Sequence, residues 1–517
     1  RRRVPLGLRA CARRGGRVIT PSMNELYLEL PSVGLVLDLR HSGLDQSSLE
    51  RSMTSLGLAH REMAALEGGA IANEDEGRQV GHYWLRSPAI APDGLGEAVR
   101  EGHARRAALA GQLRARYSNL LHVGVGGSAL GAQLLVDALG DHTPAVSFLD
   151  NLDPDGLEHT TSRAKLEDAA VVFVSKSGST AEVQVGLAHV RRACADRELE
   201  LGPRAIAVTC EDSALDRLAQ QEGWRGRLPM WSWVGGRTSI FSSAALLTAQ
   251  FAGADVDAFL EGARLMDAET RRENPLENPA ALLALAWREA GADRARAMVV
   301  LPYRDRLQLF GRYLQQLVME SVGKAQDRKG ADVHQGLTVY GNKGTTDQHA
   351  IVQQLRDGPD DCFVTTIEVY GGDPGVTLAS GARASDHLSG FAYGTRAALR
   401  AVGRRTLSVG MDRMDARSLG ALVALYERAV GLYASLHDIN AYHQPGVEAG
   451  KRAASEMLEL QARLLAILEE GERGDAAQLS GFVEADEDAV FHVLRHLSAT
   501  GRAGRSGSGL GSTFFSV

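Results

Sequence analysis

The sequence predicts an α/β protein with two domains, each built on a parallel sheet flanked by helices, and helical extensions at both ends. From residue 120 onward, short apolar runs alternate with turns rich in Gly or Ser and with helical stretches, which is the pattern of βαβ units. At 517 residues, 44% of them hydrophobic, the chain is too long for one ordinary domain and can bury two cores.

The first domain is predicted from four apolar runs that are each followed by a turn or a helical pattern. These runs cover residues 120–125, 145–149, 170–174 and 205–209. A helix-rich stretch over residues 252–292 follows, and the prolines of N-P-L-E-N-P interrupt it because proline starts or stops helices. The order predicts one parallel sheet and then a helical linker.

A second cycle begins with A-M-V-V-L-P-Y at residue 297, continues through a helical pattern over 305–322 and includes a β-rich run over 362–370. Long helical patterns follow over 416–437 and 447–469. Leucines at helical spacing in the latter predict packing either on a partner surface or on the same subunit. The Gly- and Ser-rich end of the chain predicts a loose tail.

These patterns divide the chain into seven segments. In order they are a leader (1–22), an N-terminal helical extension (23–115), the first α/β domain (116–255), a helical linker (256–293), the second α/β domain (294–450), a C-terminal helical arm (451–500) and a flexible tail (501–517).

Composition excludes several classes of function. A formal charge of -7 and 5% aromatic residues offer neither a basic stripe nor a stacking surface, so nucleic-acid binding is not expected. Apolar runs fall short of the roughly 20 residues that span a bilayer, so no membrane role is expected. The four cysteines lie far apart without a C-x-x-C pair, which disfavours a disulfide framework and a zinc site and favours a reducing compartment.

The leader contains seven arginines and no acidic residue before Glu25, a pattern typical of an organelle transit peptide. On that interpretation the mature protein resides in the plastid stroma. The alternative is translated upstream sequence with Met23 as the true start, which predicts a cytoplasmic protein.

Two loops of small and hydroxyl-bearing residues each follow an apolar strand. The first is G-V-G-G-S from Gly124 to Ser128, and it includes Gly127. The second is S-K-S-G-S-T, which comprises Ser175, Lys176, Ser177, Gly178, Ser179 and Thr180. Backbone N–H groups and hydroxyls at a helix N-terminus can hold a phosphate, although tight connections or a simple helix cap would use similar residues. The G-x-G-x-x-G match is partial and a Walker A motif is absent, so nucleotide binding is not favoured.

Four charged or basic residues are candidates for proton chemistry. Arg237 in W-V-G-G-R-T-S could stabilise an oxyanion, and Glu320, after an apolar helical stretch, could be a base. His349 in a Gly- and Thr-rich loop and Lys451 after Pro445 could exchange protons. Taken singly, each residue is more often an ordinary surface or ion-pair residue. No H-E-x-x-H spacing occurs, so no metal is expected.

Together these segments resemble the glucose-6-phosphate isomerase family, from about residue 120 to Lys451. Two patterns carry the resemblance: W-V-G-G-R-T-S around Arg237, and the run from Tyr442 to Lys451. The Thr after Arg237 is similar to the plant-plastid and cyanobacterial branch. The resemblance implies two sugar-isomerase (SIS-type) domains and interconversion of glucose 6-phosphate and fructose 6-phosphate, a reaction of glycolysis, gluconeogenesis and starch and sucrose metabolism.

The resemblance also implies roles for individual residues. Glu320 would move the proton between C2 and C1, Arg237 would stabilise the enediolate, and His349 and Lys451 would open the sugar ring. The substrate contacts it implies are Gly127, Ser128, Ser175, Lys176, Ser177, Thr180, Gln316 and Gln444. In the family each site takes its histidine from the neighbouring subunit, which implies a homodimer, and the reaction needs no cofactor.

Two alternatives remain open at the level of sequence. A dual phosphoglucose and phosphomannose isomerase would present the same phosphate loops, and only the pocket around C2 would distinguish it. A non-catalytic phosphosugar sensor would keep the loops but lose the acid and base residues, and the presence of Glu320, His349 and Lys451 disfavours it.

Overall fold

We describe the fold from a computed structural model, which covers residues 26–141, 143–291 and 296–517. The chain forms two compact units, one that ends at His443 and a second over Gln444–Val517. The Arg-rich leader, and with it the predicted targeting segment, lies outside the described residues.

The N-terminal segment contains strands as well as the predicted helices. Its elements are β1 (Tyr27–Leu30), β2 (Leu35–His41), α1 (Gln46–Glu67), β3 (Ile71–Asn73), β4 (Arg78–Gln79) and α2 (Leu95–Arg114). In β2 the alternate residues Leu35, Leu37 and Leu39 are buried, which is the period of a strand with one face on a core. The predicted helical extension did not include these strands, because β1 and β2 are only four and seven residues long and show few repeats of a two-residue period.

The first sheet is parallel, as predicted. Its elements are β5 (Asn119–Val123), α3 (Leu130–Leu139), β6 (Ala145–Leu149), α4 (Pro154–Arg163), β7 (Ala169–Val174), α5 (Ala181–Ala195), β8 (Ala205–Thr209), α6 (Ala214–Gln221), β9 (Gly226–Pro229) and α7 (Ser243–Phe251). The strand order is β6-β5-β7-β8-β9. Strands β7 and β8 are buried along their whole length, as expected for a sheet covered on both faces.

Two helices, α8 (Val256–Thr270) and α9 (Pro279–Gly291), follow the first sheet. The second sheet and its helices are β10 (Ala297–Pro302), α10 (Gln308–Leu314), α11 (Glu320–Val322), β11 (Lys324–Gln326), β12 (Asp332–Gln335), β13 (Thr338–Tyr340), α12 (Val352–Asp357), β14 (Cys362–Val369), α13 (Ala384–Arg400), β15 (Thr406–Met411) and α14 (Ala416–Leu436). The order is β1-β2-β15-β14-β10-β13, and β2 joins β15 antiparallel. The N-terminal strands therefore complete the second sheet.

Helix α14 is the central helix of the larger unit. It is long and apolar enough to cross a membrane by length and composition, contrary to the expectation that no run reaches that length. However, 89% of its apolar stretch is buried, against α8, α9 and α1. Such burial is typical of a core helix that is apolar on all sides.

The second unit consists of α15 (Pro445–Glu469), α16 (Ala476–Val483), α17 (Glu487–Ala499), β16 (Gly504–Ser506) and β17 (Thr513–Phe515). Leu460, Leu464 and Leu468 pack into a core with α16 and α17, so these leucines are buried within their own subunit. The expected loose tail instead forms the antiparallel pair β16–β17, with Phe514 fully buried. Phe514 packs into the apolar core of the second unit and holds this end of the chain there, which the Gly- and Ser-rich composition did not indicate.

Candidate active site

The two phosphate-loop candidates follow neighbouring strands. The chain enters the first sheet at β5, adds β6 on one side and then adds β7 on the other, so the strand order reverses between β5 and β7. Ligands of open α/β sheets bind at the carboxyl ends of the strands at such a reversal. The segment Gly124–Ser128 follows β5 and the segment Ser175–Thr180 follows β7, so both lie at this point.

The first loop packs directly against the segment that carries Arg237. A Cβ atom on Gly127 would lie 2.1 Å from the backbone oxygen of Gly236, so only glycine permits this approach. Ser239 Oγ donates to Gly127 O over 2.7 Å. Ser128 is half-buried, and its carbonyl oxygen lies 2.6 Å from His122 Nε2. These contacts fix the loop relative to Arg237.

The second loop presents hydroxyls beside an open helix N-terminus. Ser175 is buried, and its Oγ accepts from Gly178 N over 3.0 Å and lies 3.1 Å from Thr180 Oγ1. Ser177 is exposed, and its Oγ lies 2.8 Å from Ser179 Oγ. Thr180 is the N-cap of α5 but makes no side-chain cap bond. The arrangement therefore differs from ordinary capping and leaves N–H groups available to an anion.

Lys176 is directed at the backbone that precedes Arg237. Its Nζ donates to Ser232 O over 2.6 Å and to Val234 O over 3.1 Å. Burial lowers the pKa of Lys176, and Arg78 adds to this effect. Lys176 thus connects the second loop to the segment of Arg237, a contact that the expected role in substrate binding did not include.

Arg237 and Glu320 form an ion pair. Arg237 Nε lies 3.3 Å from Glu320 Oε2, and the two side chains are 6% and 27% exposed. The guanidinium also donates to Ala441 O over 3.0 Å and to His443 O over 3.4 Å. Burial lowers the pKa of Arg237, while the charge of Glu320 opposes that change. The two backbone oxygens fix the guanidinium group of Arg237, and the carboxylate of Glu320 remains partly exposed to solvent.

A π-helical turn positions Glu320. Helix α10 passes into five π-helical residues, Gln315–Met319, directly before Glu320. Such turns are frequent at functional sites. Gln316 Nε2 donates to Glu320 Oε1 over 3.3 Å, and a Cβ on Gly126 would lie 3.2 Å from the same Nε2. Gln316 therefore lies between the first loop and Glu320.

His349 lies on a separate turn of the chain. It ends a 3₁₀ turn, Thr346–His349, and its side chain is exposed. Asp347 holds the turn by accepting from Asn342 N over 2.7 Å, and Gln348 Nε2 donates to Phe391 O over 3.1 Å. In the described part of the chain no hydrogen bond joins His349 to Glu320.

Lys451 and Gln444 belong to the second compact unit and are described within it. Gln444 is the N-cap residue of α15, without a side-chain cap bond. Lys451 lies two turns into the helix, is exposed, and forms an ion pair with Glu448 over 2.7 Å.

Sequence reasoning missed two features near Glu320. Lys324 is 6% exposed and donates from Nζ to Glu320 O over 2.6 Å, although it stands in the same M-E-S-V-G-K run. Behind Arg237 lies a cavity of about 20 Å³, lined in part by His82, Glu427 and Tyr442. Burial raises the pKa of Glu427 to about 7. The M-E-S-V-G-K motif was a sequence signal for Lys324. The cavity had no such signal, because its lining residues are distant in sequence.

The site combines a carboxylate that can exchange a proton, that of Glu320, with a fixed cation that can stabilise a developing oxyanion, that of Arg237. Gln316 and the first loop lie beside this pair. The hydroxyl loop supplies donors for an anionic group on the same ligand. Across residues 26–141, 143–291 and 296–517, no group of three or more His, Cys, Asp or Glu side chains is arranged to hold a metal ion.

Comparison with known proteins agrees with this arrangement. The sequence profile described as phosphoglucose isomerase matches residues 47–368 and 399–466. A protein named glucose-6-phosphate isomerase from Geotalea daltonii is 46% identical over 490 residues, 91% of this chain and 92% of the relative. One from the cyanobacterium Nostoc punctiforme is 45% identical over 507 residues, 93% of this chain and 94% of the relative.

The fold agrees as well. The crystal structure of a glucose-6-phosphate isomerase from Chlamydia trachomatis superposes with a TM-score of 0.79 at 25% identity, over 85% of this chain and 91% of that one. The predicted α/β fold class is thereby confirmed. With a profile that matches most of the chain and relatives that align over nearly all of it, this chain belongs to the phosphoglucose isomerase family.

Proposed function

We propose that this protein catalyses the reversible isomerisation of glucose 6-phosphate to fructose 6-phosphate. The observation that carries the proposal is the Arg237–Glu320 pair, with Nε and Oε2 3.3 Å apart, beside the loop that contains Gly127. A single carboxylate suffices for proton transfer between adjacent carbons, and a fixed guanidinium stabilises the charge that develops on oxygen. Family membership and the names of the relatives support the same reaction.

The substrate would be held at its phosphate by Ser175, Ser177, Thr180 and the N-terminus of α5, with Gly127 and Ser128 on the neighbouring strand end. Glu320 would remove the C2 proton of the open-chain aldose, which gives a cis-enediolate. Arg237 would stabilise the enediolate oxygen, the hydroxyl proton of O2 would pass to O1, and Glu320 would return the proton to C1. Gln316, which donates to Glu320, would orient the carboxylate.

The ring must open before the proton at C2 becomes acidic, and we assign this step to His349 and Lys451. His349 is exposed on its turn, and Lys451 is exposed on α15. Both can therefore meet a substrate or a second copy of the chain. Lys176, which binds backbone oxygens, would support the second loop.

A homodimer in which each site takes His349 from the other subunit fits the surface around this residue. Large exposed apolar side chains lie on the segment after β14 and on the middle of α13, to which the His349 turn is hydrogen-bonded. They are Tyr370 (61% exposed), Val376 (71%), Leu378 (48%), Phe391 (50%) and Tyr393 (66%). A concentration of exposed apolar residues marks an interaction surface, and the commonest partner is an identical subunit.

The Arg-rich residues 1–22 would direct the chain to the plastid stroma. Fusing them to a fluorescent protein in plant cells tests this assignment. Fluorescence in the stroma supports it, and uniform cytosolic fluorescence contradicts it.

The activity is tested by coupling formation of glucose 6-phosphate from fructose 6-phosphate to a dehydrogenase. Substitution of the base, Glu320→Gln, is expected to lower kcat by roughly a hundred- to ten-thousand-fold, the usual effect of losing general base catalysis. Glu289→Gln is the matched control, because Glu289 is also partly buried and pairs with an arginine, Arg51, elsewhere in the fold. Turnover of mannose 6-phosphate in the same assay separates a dual isomerase from the proposed one.

A further inference from the structure

A cleft of about 400 Å³ lies between α2 and β9, the outermost strand of the first sheet. One face of α2 forms one wall, and β9 with the residues before it forms the other. We call it the arginine cleft. It is lined by Arg105, Ala108, Leu109, Gln112, Trp224, Arg225, Gly226, Arg227 and Leu228. Three arginines and no acidic residue line a cleft in a chain whose formal charge is -7.

The three guanidinium groups differ in their partners. Arg227 Nη1 lies 2.9 Å from Asp216 Oδ1, so one arginine is already neutralised. Arg105 Nη2 donates to the backbone oxygen of Arg227 over 2.7 Å, which anchors this side chain to the strand edge without neutralising its charge. Arg225 Nε is buried without a hydrogen-bond partner. Within the described residues, then, two arginines of the cleft lack a carboxylate.

We propose that the arginine cleft binds a small multivalent anion that carries a phosphate or pyrophosphate group, at a site separate from the two loops that follow β5 and β7. Arginine presents a planar set of donors that matches phosphate oxygens in pairs. Uncompensated guanidinium groups at a cleft wall attract such an anion because no protein acid competes for them.

The shape of the cleft favours a small molecule as the occupant. Its volume lies in the range of small-molecule sites. Leu109 and Trp224 provide apolar surface, and Gln112 adds an amide that can donate or accept. The free edge of β9 is only four residues long, and Arg105 already occupies the carbonyl of Arg227, so little edge remains for a peptide strand.

The site is tested by calorimetric titration of the full chain with inorganic pyrophosphate at constant ionic strength. The double variant Arg105→Gln with Arg225→Gln is expected to bind pyrophosphate in the cleft at least ten-fold more weakly. The double variant Arg100→Gln with Arg264→Gln is the control, because it removes the same charge from two exposed arginines that pair with glutamates on their own helices. Its affinity is expected to stay within two-fold of that of the unaltered chain.

A third variant, Ser175→Ala with Thr180→Val, removes hydroxyls from the second loop. Binding that survives in this variant and is lost in the cleft variant assigns the anion to the arginine cleft. Binding that the loop variant abolishes and the cleft variant leaves intact overturns the proposal. An equal loss in the cleft and control variants, which would indicate general charge attraction, overturns it too.

Hydrogen exchange of the unaltered chain gives a result that does not depend on whether a variant folds. Pyrophosphate is expected to slow amide exchange in residues 224–228 by at least three-fold. Protection confined to residues 124–128 and 175–180, with none in residues 224–228, contradicts the arginine cleft.

Discussion

Lys324 donates a hydrogen bond from Nζ to the backbone carbonyl oxygen of Glu320 over 2.6 Å. Burial lowers the pKa of Lys324 to about 8, and repulsion from Arg237 adds to the effect while Glu320 opposes it. A positive charge that can be lost near pH 8 therefore lies behind the proposed catalytic base. Its consequences extend to folding, because an unfolded lysine keeps its proton to a higher pH.

Replacement of Lys324 by Met is expected to change how stability depends on pH. Since the folded pKa is about 8 and the ordinary lysine pKa is 10.5, the unfolded chain binds more protons between these values. The cost of burying the ammonium is therefore fully present below pH 8 and declines as pH rises through 8 towards 10.5. Relative to Lys324→Met, the unaltered chain should gain about 2 kcal/mol of unfolding free energy between pH 7.5 and 9.5.

Urea unfolding of both proteins at the two pH values measures this gain. A stability difference that does not change with pH would show that Lys324 keeps an ordinary pKa in the folded state.

Gly127→Ala is expected to damage both the fold and the site. The new Cβ would lie 2.1 Å from Gly236 O, and backbone cannot yield as a flexible side chain can. Overpacking of this kind costs roughly 1–3 kcal/mol. The shift would also move the first loop away from Arg237, so kcat/KM should fall by about a hundred-fold. Thermal unfolding and the coupled assay measure the two effects.

Gly111→Ala is the matched control, because Gly111 lies within α2 and its Cβ would have no atom within 4 Å. It should stabilise the protein by about 0.5–1 kcal/mol. Equal changes in stability and in kcat/KM in the two variants would contradict the close packing of the first loop against Gly236.

Thr180→Val tests the hydroxyl loop. Thr180 Oγ1 lies beside Ser175 Oγ and does not cap α5, so its loss should weaken phosphate binding rather than the helix. We expect KM for fructose 6-phosphate to rise roughly five- to twenty-fold with kcat within two-fold, since a contact equal in ground and transition states affects KM alone. The control is Thr160→Val in α4. An unchanged KM in Thr180→Val would exclude this hydroxyl from the phosphate site.

The proposed sharing of His349 is tested by mixing two inactive variants. Co-expressed Glu320→Gln and His349→Ala chains would form mixed dimers in which one site has both an intact Glu320 and an intact partner histidine. With random pairing, half the dimers are mixed and one of their two sites works, so about a quarter of the full activity should return. If His349 served its own subunit, the mixture would stay inactive.

Much of this fold can be predicted from local sequence. The apolar runs at 145–149 and 205–209 coincide with β6 and β8, and the run at 362–370 exceeds β14 by one residue. Strands β8 and β14 are buried along nearly their whole length, as expected for strands covered on both faces. Strand β6 lies at the edge of its sheet and is only partly buried, but its run is still mostly apolar. The pairing of β2 with β15 could not be predicted this way, because it joins residues more than 360 positions apart. The buried Phe514 is a similar case, since its partners are distant helices of the second unit.

The candidate site was predictable residue by residue but not as an arrangement. The motifs identified Arg237, Glu320 and both loops, whereas the ion pair and the placement of Gln316 against Gly126 depend on the π-helical turn. A π turn adds one residue to a helical turn and has no sequence signature here. Lys176 and Lys324 illustrate the same limit, because each donates to a backbone oxygen whose position only the folded chain defines.

The central claim is that Glu320 carries the proton between the two carbons, and solvent isotope exchange measures it directly. In D₂O the unaltered protein should convert glucose 6-phosphate into fructose 6-phosphate with deuterium at C1, because the carboxyl group of Glu320 exchanges with solvent through its exposed side. Glu320→Gln should lose both deuterium incorporation and isomerisation while it still binds the sugar phosphate. Deuterium incorporation at C1 by Glu320→Gln at a rate close to that of the unaltered protein would contradict the assignment.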